Sequence, residues 1–333
     1  MNNLKKTILA NIIPCPKVIN DEWLIKAFDD DLFNCWGLSL YDLNNVTFDI
    51  KNKSLLDNVI FNYKDLKLIP FEHKEYNYFL IGNGIEKLHS KGITGKKVNV
   101  AIIDYGFKVI HNDLKDCLKE YIPLESEYLV PKDEYHGLVV SGFLCGKKTG
   151  IAPEANLYFF ENTHNPQYGY LENLKKIYEM NLKGTNIKVV NLSSGYFEEN
   201  DEIIKYQKLL KNQGCIIIDA HIFEKDFLVI NYDQITKTFK LKGWQKECYK
   251  DQLLIPTTGG AILSAFKEDE YLIDKSDDFS WYIPVLCGII ALCKQINDNI
   301  TYEELLDIAK KTSYKVDNYS IINPNGIINY LNK

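Results

Sequence analysis

The chain has 333 residues, 46% hydrophobic and 25% charged, the make-up of a folded globular protein with room for one sizeable domain and a smaller one rather than of a disordered chain. A net charge of −6 with no basic cluster argues against a nucleic-acid partner. The eight cysteines are scattered singly, without CxxC pairs or His-rich metal spacing, and Cys145, Cys215, Cys287 and Cys293 sit inside apolar runs, so they read as reduced structural thiols of a cytoplasmic protein.

At the start of the chain, MNNLKKTILANIIPCPKVIN is broken by Asn11 and two prolines and lacks a convincing small-residue cleavage site, which disfavours secretion. NDEWLIKAF carries a helix start at Asn20 or Asp21, and VTFDIKNKSLLDNVIFNY reads as two strands around a Lys-Asn-Lys turn. Residues 1–65 are therefore expected to form a small N-terminal α+β subdomain. From about residue 96 the pattern changes. VNVAIID (98–104), ANLYFF (155–160), IKVVNLS (187–193) and CIIIDA (215–220) are short and almost continuously apolar, as strands buried on both faces are. Helical stretches lie between them at HGLVVSGFLCG, GYLENLKKIYEMNLK and DEIIKYQKLLKNQG. This alternation predicts an α/β fold, a parallel sheet with helices on both faces, whose working groups collect at the carboxyl ends of the strands. The apolar run from Trp281 to Cys293 spans 13 residues, short of the roughly 20 that cross a bilayer, so it is expected to be a core helix and no membrane partner is expected.

Three residues combine into a chemistry. Asp104 closes the strand VNVAIID; His136 opens a helix with Gly137 and Gly142 on it; Ser280 stands before the apolar helix, with Pro284 in its first turn. Each has an ordinary structural use: a turn cap, a solvated helix start, an N-cap. Together they form the set that nucleophilic catalysis wants, because a serine hydroxyl becomes a good nucleophile when an imidazole takes its proton and a buried carboxylate fixes the imidazole tautomer. The first free N–H groups of the helix after Ser280 are placed to face a developing oxyanion.

The motifs around these residues resemble the subtilisin-like serine proteases, or subtilases, in style nearest to intracellular subtilisins. GITGKKVNVAIIDYGFKVIHNDL (92–114) looks like the family's aspartate segment, with His111, Asp113 and Leu114 keeping its later His-x-Asp-Leu. HGLVVSGFLCGKKTGIAPEANLYFF (136–160) resembles the histidine segment, and SWYIPVLCGIIAL (280–292) the serine helix at Ser280, Pro284 and Gly288. The resemblance implies a subtilisin-like catalytic domain over 77–333, with Asp104, His136 and Ser280 as catalytic triad. It also implies pairing of a peptide substrate with Asn191, Leu192, Ser193, Ser194 and Gly195. LKLIPFEHKEYN (66–77), which covers the linker or inhibitory prosegment at 66–76, is similar to the Leu-Ile-Pro-Tyr inhibitory segment of intracellular subtilisins and implies that Leu68, Ile69, Pro70 and Phe71 lie along the cleft.

The chain departs from the family pattern at four places. Tyr105 stands where Ser or Thr usually follows the aspartate, and Asp278-Phe279 replaces Gly-Thr before the nucleophile. The oxyanion asparagine is absent from GCIIIDAHIFE, its position falling near Phe223 with His221 close by. FLCGKKT lacks the oxygen ligands of the family's calcium loop, so no metal and no cofactor is expected. The expected function is a serine endopeptidase acting on a peptide or protein substrate through an acyl-enzyme, specialised for maturing one peptide precursor. The competing readings are a pseudoprotease that binds peptides and an esterase or transpeptidase with the same triad.

Overall fold

The computed structural model describes residues 14–29, 37–56, 59, 61–62, 84–108, 110–124, 136–162, 166–193, 200–233, 238–240, 252–257, 260–263, 268–269, 271–274, 279–316 and 319–333. Near the start, β1 (Val18–Asn20) runs into α1 (Asp21–Ala27), where the Asn20 side chain caps the helix by accepting the Trp23 N–H at 2.9 Å. β2 (Thr47–Asp49) pairs in parallel with β1, while β3 (Phe61–Asn62) joins a distant strand near Leu272. The two strands expected around Lys51-Asn52-Lys53 thus exist but do not pair with each other. The Asp21 carboxylate accepts the N–H groups of both Lys51 and Asn52 at 3.0 Å, which binds the turn to α1 instead of closing a hairpin.

The main sheet follows the apolar runs. Its strands are β4 (Asn99–Tyr105), β5 (Leu118–Ile122), β6 (Asn156–Asn162), β7 (Ile187–Leu192) and β8 (Ile216–Ile218), in the order β5-β6-β4-β7-β8 with every neighbouring pair parallel. Between them run α2 (His136–Cys145), α3 (Pro166–Leu182) and α4 (Asp201–Asn212). The strand period of two divides β4 between two cores: Val100 and Ile102 enter one with α2, whereas Ala101 and Ile103 enter the other with Tyr170 and Leu174 of α3 and Ile203 and Leu210 of α4. Helices on both faces of a parallel sheet are therefore present, as the alternation predicts. The run CIIIDA yields strand only over Ile216–Ile218. Asp219 then accepts the Ile222 N–H at 2.9 Å and starts α5 (Ala220–Asp226).

The chain continues through β9 (Phe227–Asp233), β10 (Thr238–Lys240), β11 (Leu253–Thr257), β12 (Gly260–Leu263) and β13 (Tyr271–Asp274). β13 lies between β12 and β3, so the N-terminal region contributes a strand to this small sheet. The buried residues Ile19, Leu24, Leu43 and Leu56 belong to the same apolar core as the central helices. A 3-10 turn, Phe279–Trp281, leads into α6 (Tyr282–Ile296), whose residues from Tyr282 to Lys294 are all buried. This is the core helix expected from the apolar run, and no helix among the described residues is long and apolar enough to cross a membrane. α6 approaches the turn after α2 closely: a Cβ added at Gly288 would stand 2.5 Å from the Ile151 Cβ. α7 (Tyr302–Thr312) follows, and β14 (Tyr314–Val316) and β15 (Tyr319–Ile321) complete a second sheet in the order β10-β9-β11-β15-β14.

Candidate active site

The carboxyl end of β4 carries Asp104, fully buried and in the centre of the sheet. Its Oδ1 accepts the N–H of Tyr105 at 2.7 Å and lies 2.7 Å from Nδ1 of His136, the first residue of α2. Backbone geometry makes this contact feasible. A Cβ at Gly137 would stand 2.1 Å from the Tyr105 carbonyl oxygen, so the first turn of α2 presses against the end of β4 where glycine alone fits. The His136 side chain is 17% exposed, enough to keep one edge of the ring open while its Nδ1 faces the buried carboxylate. An acceptor at Nδ1 holds the proton there and leaves Nε2 as the basic nitrogen.

Ser280 lies in the 3-10 turn ahead of α6, and that turn packs against α2. Ser280 is buried and does not occupy the N-cap; Trp281 does, without a side-chain cap. Trp281 is in turn buried against the histidine, with ring centroids 5.1 Å apart and planes tilted by 35°. The structure thus joins Asp104 to His136 by a hydrogen bond and sets the serine turn beside the histidine helix. Tyr105 and Trp281 were legible in the sequence only as a departure and as the first residue of an apolar run; their position beside the imidazole is a property of the fold.

The remaining expected residues are placed as follows. Asn191 pairs with Ile102 of β4 and Ile218 of β8, so its backbone already belongs to the sheet. Its side chain accepts the Ser193 hydroxyl at 3.1 Å and donates toward Cys287 Sγ of α6 at 3.7 Å. Leu192 likewise pairs with Ile103 of β4, so the first two residues expected to meet a substrate are part of the sheet. Burial pushes the Cys287 thiol well above its usual range, which makes it an uncharged packing residue. Phe223, near which the family's oxyanion asparagine is expected, is buried in α5 and stacks on Phe227 with ring centroids 6.0 Å apart. His221 is exposed in the first turn of α5. Asp113 has both carboxylate oxygens engaged, Oδ1 by the Tyr271 hydroxyl at 2.7 Å and Oδ2 by the Lys148 N–H at 2.9 Å. No cluster of three or more His, Cys, Asp or Glu side chains able to hold a metal occurs among the described residues. Ser194, Gly195, Asp278 and the segment Leu68, Ile69, Pro70, Phe71 lie outside the described residues.

The central strand of a parallel sheet thus ends in an aspartate that is hydrogen-bonded to the histidine opening the next helix. The model of the subtilase family matches residues 95–229. The chain has a subtilase fold. Among solved structures, it is similar to the prenylagaramide maturation protease PagA, with a TM-score of 0.54 and 17% identity over 74% of this chain and 98% of that one. It is similar to the nisin leader peptidase NisP from Lactococcus lactis, with a TM-score of 0.53 and 16% identity over 76% and 93% of the two chains. Fervidolysin from Fervidobacterium pennivorans, a keratinolytic enzyme related to subtilisin, aligns with a TM-score of 0.57 and 15% identity over 76% of this chain and 45% of its own. At these identities the likeness is one of fold. No curated protein matches the chain. The subtilase match covers β4, α2, β6 and β7, the segments that carry Asp104, His136 and Asn191.

Proposed function

We propose that this subtilase-like protein is a serine endopeptidase with Ser280 as nucleophile, His136 as general base and acid, and Asp104 as the group that orients the imidazole. The observation that carries the reading is the 2.7 Å contact between His136 Nδ1 and the fully buried Asp104 carboxylate at the end of the central strand. In the reaction, Ser280 Oγ attacks the scissile carbonyl carbon as its proton passes to His136 Nε2. The imidazolium, opposite a buried carboxylate, is stabilised where the charge develops. His136 then gives the proton to the leaving amine, and water releases the acyl group by the reverse sequence. The N–H groups at the start of α6 face the oxyanion.

The substrate is proposed to be one peptide precursor rather than protein in general. Bulky Ile216 to Phe223 replaces the small residues that floor the first specificity pocket of the family, which narrows it. The maturation and leader-peptide activities named for two of the similar structures are consistent with this. The test is incubation of the full chain with a peptide library of mixed sequence, with mass-spectrometric readout. A narrow set of cleaved sequences, absent with Ser280→Ala, supports the proposal; general digestion contradicts the specialised part of it. A second reading, a peptide-binding pseudoprotease, is favoured by one observation, the burial of Phe223 near the expected position of the family's oxyanion donor. Under that reading Ser280→Ala leaves peptide affinity unchanged and neither protein cleaves.

A further inference from the structure

The imidazole of His136 lies beside two large aromatic side chains, each of which directly follows one of its proposed triad partners in the chain. Tyr105 follows Asp104, and its ring centroid is 6.0 Å from that of His136 at an angle of 59°. Trp281 follows Ser280 and lies 5.1 Å away at 35°. Trp281 is only 2% exposed and is backed by Phe143, with ring centroids 5.7 Å apart, so it has no room to swing aside. A hydrogen bond at Nδ1 fixes one corner of an imidazole but leaves the ring able to turn about that corner. The direction of Nε2 is then decided by what packs against the faces.

We propose that Tyr105 and Trp281 form an aromatic slot that sets the plane of His136, so that both are positioning residues for the proton transfer. The proposal rests on the reading of His136 as the base. The electron-rich face of an indole also attracts a cation, so Trp281 favours the imidazolium that forms as Ser280 attacks. The slot therefore acts on the chemical step and leaves substrate binding alone. Titratable groups on the elements packed against α2 are Asp104 and Tyr105 on β4, Asp113 on the preceding 3-10 turn with His111 as its cap, and Tyr282, Cys287, Cys293 and Lys294 on α6. Of these, Asp104 is hydrogen-bonded to the imidazole, at 2.7 Å.

The test uses the full chain and reads contact separately from activity. A protonated imidazole against an indole quenches its emission. Tryptophan fluorescence is therefore followed from about pH 5 to 8, the range of imidazole titration. The slot predicts a component that brightens as His136 loses its proton, missing in both Trp281→Phe and His136→Gln. In parallel, a fluorophosphonate is added: Ser280 Oγ forms a bond to phosphorus, fluoride leaves, and the hydroxyl proton goes to His136. Trp281→Leu is expected to slow this step about 3- to 30-fold, with Trp281→Phe recovering most of the rate. Tyr105→Ser is expected to slow it in the same way and Tyr105→Phe to retain it. If emission titrates but no variant or parent reacts, the hydrolase reading falls and the slot stands. If the parent reacts yet its emission titration survives in Trp281→Phe, or if Trp281→Leu reacts like the parent, the slot falls. Should Trp281→Leu fail to fold, the comparison of parent with His136→Gln still decides the contact.

Discussion

Asp104 is the residue whose environment constrains the chemistry most. Its carboxylate is sealed from solvent and bonded through Oδ1 to a backbone N–H and an imidazole at once, an arrangement that fixes the imidazole tautomer. Replacing it with asparagine keeps the shape but presents an amide that selects the wrong tautomer. Asp104→Asn is expected to lower phosphonylation of Ser280 by about 10⁴-fold with little change in folded structure, measured by single-turnover kinetics and circular dichroism. Phe223 gives the opposite kind of prediction. Restoring the family's residue there by Phe223→Asn is expected to destabilise the protein by about 3–5 kcal/mol, because it trades a stacked, buried ring for a cavity and a polar group facing it. A thermal melt reads the loss, and a gain in turnover without that loss would show that Phe223 is not a core residue. Loss of one oxyanion donor in a subtilase costs about 10²–10³ in turnover, so slow cleavage is expected of the parent chain.

At the scale of elements, α6 links the active-site end of the molecule to the far side of the sheet. Its first turn follows Ser280, and near its last turn Lys294 donates to the carbonyls of Gly214, Asp298 and Ile300 at 2.8–2.9 Å. Burial, aided by the charge of Lys188, holds Lys294 below the ordinary lysine value of 10.5, while Asp298 opposes the shift. The folded protein therefore binds fewer protons than the unfolded chain in the interval just under 10.5, and stability rises with pH across that interval. Urea unfolding from about pH 8 to 10 is expected to show this rise, and Lys294→Met to remove it.

The elements were legible to different degrees, for physical reasons. β4, β6 and β7 are continuous apolar runs buried on both faces, and α2 and α6 are bounded by His136 and by the Ser280 turn, so sequence pattern alone locates them within a residue or two. The strand CIIIDA is shortened because Asp219 finds a better use as a helix cap than as a strand residue. The two strands expected around the Lys51 turn both form, but they find partners elsewhere, in β1 and β13. Long-range pairing leaves no local trace. The same holds in the site: Asp104 and His136 were recognisable by motif, but the aromatic faces around the imidazole arise from Tyr105 and Trp281 meeting from segments far apart in sequence.

Over the whole molecule, the N-terminal region and the subtilase-like part share apolar contacts. Ile19, Leu24, Leu43 and Leu56 lie in the central core, and β3 covers an edge of β13. A chain beginning at Glu75 is therefore expected to lose at least about 5 kcal/mol, on a scale of roughly 1.5–3 kcal/mol for each buried aliphatic side chain. A shift of the urea midpoint reads this loss, and an unchanged midpoint would mean the N-terminal region folds beside the rest without supporting it. The sheet order β5-β6-β4-β7-β8 puts Asp104 at the centre, and the face of the sheet shared by α2 and α6 is the floor of the proposed triad. That shared face is what brings the histidine helix and the serine turn together.

The most direct measurement is intact-mass spectrometry of the full chain after treatment with a fluorophosphonate, with peptide mapping of the product. The account predicts a single adduct on Ser280, absent in Ser280→Ala and strongly reduced in His136→Ala. A folded protein that takes up no reagent, or takes it up at another residue, would contradict the assignment of Asp104, His136 and Ser280 as a working triad.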